Sequence, residues 1–548
     1  MRYPLGLLAL VVAIIVAAWW WLGVAIPMPP SPLASGEKLY CISYSPFRGQ
    51  QTPLDPGIRI DPWQIEDDMV RLARLTDCVR TYSTRNGLDS VPEIAERHGV
   101  QVIQGIWLGG DRAAAERDIA TAIELARRHP QAIRSLVVGN EVLLRGEMTA
   151  GELAATIRRV KGQVAQPVTY ADVWEFWVRY REIYPAVDFV TIHILPYWED
   201  FPIPAASAAA HVEAIRRKVA EAFPEKEILL GETGWPSAGR MREGALPSPA
   251  NQARVMHDVL TIARRAGYHA NLIEAFDQPW KRRLEGTVGG HWGLLDGATR
   301  ERKFTWGQPV SNHAAWRVQA AAGVALAVLV FVAAFSARPS ATRHSLETWG
   351  GVAAMALGSG LLIGWAVANV PVESLTVGDW LRSLTLAGLA IAAPLIAAAA
   401  LMRGAHVPTF ARLVGPAALR PKSIIEIALG AAWLVLCVVA AQVALGLVFD
   451  PRYKDFPFAP LTAAAVPFLV LGCCSPDEAQ RNPGTRTRIT LRSIRAIAKA
   501  ELAFAALLGA CAGYIALNES FANWQALWLS AVLVGVAITL LQVRDAPG

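Results

Sequence analysis

The sequence predicts an α/β protein of unusual plan: a (β/α)8 TIM barrel fused to a multi-span α-helical membrane domain. Three observations lead there. At 548 residues the chain is too long for one ordinary domain, and 53% hydrophobic against 18% charged residues is too apolar for a wholly soluble protein. From residue 37 to residue 313, short apolar runs alternate with amphipathic segments, the pattern of a parallel α/β fold. Beyond residue 313 the alternation stops and long apolar runs take over. The expected boundaries are 1–26 for an N-terminal signal anchor, 27–36 for a Pro-rich linker, 37–313 for an extracytoplasmic barrel and 314–548 for a membrane domain.

The first element runs from Leu5 to Ile26, an apolar stretch of 22 residues behind Arg2 that contains Trp19-Trp20-Trp21. It is long enough to span a bilayer, whereas a cleaved signal peptide has an apolar core of about 7–15 residues, so an uncleaved anchor is expected. Pro27-Met28-Pro29-Pro30-Ser31-Pro32 reads as a stiff spacer. Eight strands follow: Leu39 to Ser43, Cys78 to Tyr82, Val100 to Trp107, Ser135 to Val138, Val168 to Ala171, Phe189 to His193, Glu227 to Leu230, and His269 to Ala275. Eight strands in a segment of this size suit a (β/α)8 barrel, whose active site lies at the C-terminal strand ends. A doubly wound open sheet is the alternative, but no Gly-rich phosphate loop follows the first strand.

The apolar runs after His313 cover Val318 to Phe335, Trp349 to Val370, Ser383 to Met402, Ile424 to Phe449, Ala459 to Cys474, Ala500 to Leu517 and Trp524 to Val543. With the anchor they predict eight spans. The sixth of these eight, Ala459 to Cys474, is short and interrupted by Pro467. Outside the barrel the chain has 18 Lys and Arg; with the N-terminus inside, 14 of them fall on the cytosolic side, including the Arg481 to Lys499 stretch. That count orients the barrel outside the cytoplasmic (inner) membrane. Within the spans Gln442 is the clearest mid-membrane polar residue, and Glu426 and Glu501 read as interfacial.

Charge and cysteine usage narrow the function classes. Residues 31–313 hold 34 Lys and Arg against 35 Asp and Glu, so neither a nucleic acid nor a polyanion is suggested as partner of the barrel. Of six cysteines, Cys41 and Cys78 fall on neighbouring strands and Cys437, Cys473, Cys474 and Cys511 in apolar runs. None has metal-ligand spacing, so no metal or cofactor is expected. For Cys41 and Cys78, two buried thiols are the first expectation and a disulfide the alternative.

Glu232 and Glu141 are the candidate catalytic residues. Each ends an apolar strand, in Leu229-Leu230-Gly231-Glu232 and Val137-Val138-Gly139-Asn140-Glu141, and a Gly/Pro turn follows Glu232 at once. Two carboxylates delivered by two strand ends suit glycosidic bond chemistry: one attacks or stabilises the sugar cation, the other protonates the leaving oxygen. Polar and aromatic side chains gather at the other strand ends: Tyr44, Arg80, Tyr82, Trp107, Asn140, Asp172, Trp174, His193, Tyr197, Trp235, Asp277 and Trp280.

At this point a resemblance can be named. Gly231-Glu232-Thr233-Gly234-Trp235-Pro236-Ser237 looks like the signature of glycoside hydrolase family 17, the β-1,3-glucanase and glucanosyltransferase family. Ile42-Ser43-Tyr44-Ser45-Pro46, Val79-Arg80-Thr81-Tyr82-Ser83, Gly139-Asn140-Glu141, Ala171-Asp172-Val173-Trp174-Glu175, His193-Ile194-Leu195-Pro196-Tyr197-Trp198 and Phe276-Asp277-Gln278-Pro279-Trp280-Lys281 with Glu285 follow in the family's order. The resemblance implies a retaining mechanism with Glu232 as nucleophile and Glu141 as acid/base. It also implies substrate contacts from Asn140, Tyr44, Tyr82, Asp172, Trp174, His193, Tyr197, Trp235, Asp277, Trp280, Lys281 and Glu285. Asn140 would bond the sugar 2-hydroxyl and Tyr197 would orient Glu232. Trp174, Trp198, Trp235, Trp280 and Trp292 offer flat faces to sugar rings. Gln278 stands where the plant enzymes commonly carry an acid, and His193 and Leu195 replace the Asn and Tyr of the sixth-strand motif. His193 is thus either a sugar contact or a satisfied strand-end histidine.

The overall plan, a family 17-like barrel followed by a multi-span region, resembles bacterial proteins associated with β-1,6 linkages in periplasmic β-1,3/1,6-glucans. The leading expectation is a β-glucan transglycosylase working on an existing glucan chain, held in the bilayer beside a glucan synthase or export complex. An endo-β-1,3-glucanase and a non-catalytic glucan-binding scaffold are the rivals.

Overall fold

The computed structural model describes residues 2–339, 344–416, 421, 423–474 and 499–542. The chain divides into two compact units, residues 26–310 and residues 1–25 together with 311–548. The first is the barrel. Its strands are β1 (Cys41–Ser43), β2 (Cys78–Arg80), β3 (Gln101–Ile106), β4 (Ile133–Asn140), β5 (Val168–Val173), β6 (Val190–His193), β7 (Ile228–Thr233) and β8 (Ala270–Leu272). They close in sequential order, β8 pairing with β1, and every pairing is parallel. All eight lie within the segments read from the sequence, apart from a few residues added at the ends of β4, β5 and β7.

Register puts the chemistry at one rim. Ser43 pairs with Arg80, and His193 with Glu232, all four at or next to the C-terminal end of their strands. Beneath them Cys41, Cys78, Ile103, Val137, Ala171 and Leu229 fill the interior with apolar side chains. Cys41 and Cys78 are joined as a disulfide that ties β1 to β2. That corrects the first expectation of two thiols: parallel pairing at the start of both strands brings the two Cα atoms to 4.4 Å, within bonding reach.

The surrounding helices are locally specified. Thr149 and Glu152 form a reciprocal capping box that starts Ala150–Lys161, and Ser248 caps Pro249–Ala266, which has Pro in its first turn. Asp68, on Pro62–Leu72, is fully buried and accepts from the Tyr44 hydroxyl, Arg48 and Arg300. One carboxylate thereby fastens that helix to the segment after β1 and to the end of the barrel unit.

Among the described residues of the second unit, seven helices are long and apolar enough to cross a membrane: Tyr3–Gly23, Trp316–Ala337, Leu346–Glu373, Val377–Arg403, Ile424–Phe449, Lys499–Asn518 and Trp524–Gln542. The expected sixth span forms a helix, Phe458–Cys474, but at 17 residues and about 1.5 Å per residue it falls short of the roughly 30 Å hydrocarbon core. Its Ala459, Leu461, Ala463, Ala464, Ala465 and Phe468 are buried among the other helices. Gly323 and Gly360 let two helices touch backbone to backbone, since a Cβ on Gly323 would strike the Gly360 carbonyl. The basic loop expected at 481–498 lies outside the described residues, as does Val543.

Candidate active site

The site is assembled by Arg80, the last residue of β2, whose side chain is 1% exposed. Its Nη1 donates to the Gly231 carbonyl at 2.7 Å and to Glu232 Oε1 at 3.2 Å, and lies 3.3 Å from His193 Nε2. Its Nη2 donates to Asn140 Oδ1 at 2.5 Å. A guanidinium has donors only, so His193 Nε2 must accept, the ring is neutral, and its proton sits on Nδ1. Nδ1–H in turn donates to Glu141 Oε1 at 2.8 Å.

Glu232 lies within β7 and is held from a second side. The Tyr82 hydroxyl donates to Glu232 Oε1 at 2.8 Å and lies 2.9 Å from Ser43 Oγ, which accepts from Asn271 Nδ2 at 2.8 Å. Because Tyr82 has a single O–H, Ser43 supplies the hydrogen between the two hydroxyls. The chain Asn271, Ser43, Tyr82, Glu232 therefore runs in one direction across β8, β1, β2 and β7. Burial, then the neighbouring charge of Glu232, holds the Tyr82 phenol well above its ordinary pKa, so it stays a donor.

Glu141 follows β4 through an unusual backbone. Gly139 has φ +88° and Glu141 has φ +52°, a left-handed conformation that non-glycine residues adopt at a cost and that marks functional turns. Two bonds hold it there: its N–H donates to the Ala171 carbonyl at 2.8 Å, and its carbonyl accepts from Arg145 N at 2.9 Å. Burial pushes the Glu141 carboxyl up, but His193, through its hydrogen bond first, together with Arg145 and Arg80 outweighs it and holds the group below the usual glutamate value. Carboxylate oxygens of Glu141 and Glu232 lie within 4.8 Å of each other and of a His193 ring nitrogen. That trio has the spacing of a metal site. Arg80 Nη1 already occupies the approach to both Glu232 Oε1 and His193 Nε2, so a cation there would meet a fixed positive charge.

A second group of charges stands beside the first. Lys281 Nζ donates to both oxygens of Glu274, at 2.9 and 3.1 Å, and Glu274 is 1% exposed. Burial lifts Glu274 to about 7 against the opposing pull of Lys281. Burial also lifts Glu285, whose charge is felt at Lys281. Trp280 donates from its ring nitrogen to Gln278 Oε1 at 2.9 Å and meets Phe47 edge-on.

Several expected sugar contacts are placed elsewhere. Tyr197 is fully buried and its hydroxyl donates to the Arg240 carbonyl at 2.8 Å, so it does not orient Glu232; Tyr82 does. Trp235 is fully buried, with its ring nitrogen on the Leu246 carbonyl, and Tyr44 is fully buried against Asp68; neither offers a face to a sugar. Asp172 is buried, accepting from the Tyr170 hydroxyl and the Val173 amide, and burial lifts it to about 6. Asp277 is buried and accepts from Lys303 at 2.6 Å and the Gly293 amide at 2.9 Å. Trp292 is 2% exposed beneath Trp198, while Trp174 is half-buried with Lys218 over its ring.

The site residues missed from the sequence are Ser43, Asn271 and Glu274, and Arg80 was counted only as a strand end. Glu274 carried a usable signal, a carboxylate within an apolar strand segment like Glu232. Ser43 carries only its place in the Ile42-Ser43-Tyr44-Ser45-Pro46 run, and Asn271 carries none, because a small polar residue on a strand is common in any barrel.

Residues 41–293 match the family profile of the BtgE/BtgC glycoside hydrolase domain. The barrel is thus similar to the glycoside hydrolase domain of that family. Among curated proteins, the glucan 1,3-beta-glucosidase of Candida albicans is 28% identical over 262 residues, which is 44% of this chain and 85% of the relative. The glucan 1,3-beta-glucosidase of Saccharomyces cerevisiae is 26% identical over 252 residues, 42% of this chain and 80% of the relative. Among solved structures, a glycoside hydrolase family 17 β-1,3-glucanosyltransferase from Rhizomucor miehei is 25% identical, covering 48% of this chain and 95% of that one with a TM-score of 0.43. The profile match ends before the apolar helices that begin at Trp316.

Proposed function

We propose that this protein is a membrane-anchored, retaining β-glucan transglycosylase that cuts β-1,3-glucan and passes the fragment to a sugar 6-hydroxyl, forming β-1,6 linkages. The observation that carries the reading is the approach of two strand-end carboxylates to within 4.8 Å. Carboxyl groups about 5–5.5 Å apart suit a covalent glycosyl-enzyme, whereas inversion needs about 6.5–9.5 Å to admit water.

The hydrogen bonds assign the oxygens. Glu232 Oε1 is engaged by Tyr82 and Arg80, so Oε2 is the attacking atom. Glu141 Oε1 is engaged by His193, so Oε2 handles the proton. In the first step Glu232 Oε2 bonds to the anomeric carbon while the glycosidic C–O bond breaks and the departing oxygen takes the Glu141 proton. In the second, an acceptor hydroxyl attacks the same carbon, its proton passes to Glu141, and the bond to Glu232 breaks. Asn140, 8% exposed and held by Arg80, stands next to Glu141 for the sugar 2-hydroxyl.

Water in place of the acceptor gives hydrolysis by the same residues, and the curated relatives are named as glucosidases. Transfer is favoured by the seven apolar helices, which hold the domain at a membrane where a glucan is made or exported. The Cys41–Cys78 disulfide supports a site outside the cytosol.

The test is to incubate full-length protein with a linear β-1,3-gluco-oligosaccharide and follow products by mass spectrometry and linkage analysis. Longer products with new β-1,6 linkages are expected, and Glu232→Gln should lose them by at least about a thousandfold, as removal of a covalent nucleophile does. Shorter fragments alone would make the protein a hydrolase.

A further inference from the structure

We propose that His193 is a positioning residue that makes Glu141 respond to the bonding state of Glu232, with Arg80 Nη1 as the link. The proposal rests on the roles given to the two glutamates above. Arg80 Nη1 carries two hydrogens and faces three acceptors: the Gly231 carbonyl at 2.7 Å, Glu232 Oε1 at 3.2 Å and His193 Nε2 at 3.3 Å. The carbonyl takes one hydrogen. The other is shared between the nucleophile and the imidazole.

While Glu232 is a free carboxylate, its charge draws that shared hydrogen. Once Glu232 is esterified to the sugar the charge is gone, and the hydrogen turns to Nε2. An imidazole that accepts more strongly at one nitrogen donates more strongly at the other. The other is Nδ1, 2.8 Å from Glu141 Oε1. The hold on Glu141 that is already present in the free enzyme therefore tightens in the glycosyl-enzyme, where Glu141 is the carboxylate that takes the acceptor's proton, and is weaker when Glu141 must give one. His193 is 1% exposed at the end of β6, so water does not substitute for either contact.

The other charges facing this pair are Arg145 from the turn after β4, Asp172 on β5, Glu285, and Glu232 itself. Arg145, Asp172 and Glu285 do not change between the two steps. The direct loss of the Glu232 charge acts on Glu141 in the same direction as His193, so His193 adds to an existing coupling.

The test uses full-length protein and a dinitrophenyl β-laminaribioside, whose leaving group needs no acid, with pre-steady-state kinetics. In His193→Phe the first step should stay within about threefold and the second should slow about tenfold, the loss of one hydrogen bond to a charged group. The glycosyl-enzyme then accumulates as a burst visible by intact mass. On β-1,3-glucan the alkaline limb of the kcat/KM profile should move up by about one pH unit, because removing the Nδ1–H donor raises Glu141. His193→Gln, which keeps a donor and an acceptor, should recover part of the second step. Equal slowing of both steps with an unmoved alkaline limb, or no recovery by Gln, would overturn the proposal. Failure of the underlying reading shows separately: Glu141→Ala should regain turnover with azide as a β-laminaribiosyl azide, and its absence condemns the acid/base role whatever His193 does.

Discussion

At the residue scale, Glu232 is fixed by two donors, Arg80 at the end of β2 and Tyr82 just beyond it. The tyrosine is the more separable of the two, since Arg80 also holds Asn140 and the Gly231 carbonyl. Tyr82→Phe keeps the ring, removes the hydroxyl from the Asn271–Ser43 relay and leaves Glu232 Oε1 short of a charge-assisted bond worth about 1.5–3 kcal/mol. Turnover on laminari-oligosaccharides should fall roughly 10- to 100-fold, since about 1.4 kcal/mol is a factor of ten. Near-unchanged steady-state rates would show that Arg80 alone orients the nucleophile. Tyr197→Phe is the contrasting case: its hydroxyl serves the Arg240 carbonyl, so the change should affect stability more than the chemical step.

At the element scale, the disulfide and the left-handed turn serve the rim in different ways. The disulfide joins β1 to β2, and these strands end in Ser43 and Arg80. It closes a loop with a sequence separation of 37, which by loop-closure entropy corresponds to about 4 kcal/mol of stabilisation. Cys41→Ser with Cys78→Ser should lower the melting temperature of the barrel, and a reductant should do the same to the native protein but nothing further to the double variant. The turn is a local device. Glu141 reaches the cleft because the chain turns through left-handed φ at Gly139 and Glu141, and the Ala171 carbonyl pins the result.

At the scale of the whole molecule, the two units differ in cysteine chemistry. Cys41 and Cys78 are paired in the barrel, whereas Cys437, Cys473 and Cys511 are free thiols in the membrane unit. An extracytoplasmic barrel predicts that protein isolated from cells, denatured without reductant and alkylated, labels at Cys437, Cys473 and Cys511 but at Cys41 and Cys78 only after reduction. Labelling at Cys41 and Cys78 before reduction would place the barrel in a reducing compartment. Phosphatase reporters that fold only outside the cytosol should be active when fused after Val310 and inactive after Ala337, at opposite ends of Trp316–Ala337.

The sequence by itself determined the barrel, the run of apolar helices and the pair of strand-end glutamates. These depend on local signals: a run of apolar residues reports a strand or a span, and a carboxylate followed by a Gly/Pro turn reports a strand end. Even the weak sixth span was legible, from its length and Pro467. What the sequence could not determine is who touches whom across the rim. Tyr197 and Tyr82 read alike as strand-end tyrosines, yet only the closed register puts the β2 end beside Glu232 and sends Tyr197 to Arg240. Arg80, Ser43, Asn271 and Glu274 gain their roles from partners 39 to 228 residues away along the chain, or from burial that creates a need for a partner. The hydrogen-bond directions that fix the His193 proton on Nδ1 depend on such contacts. Only the tertiary structure decided them, because a hydrogen bond between distant strands depends on barrel closure and leaves no periodic trace in the chain.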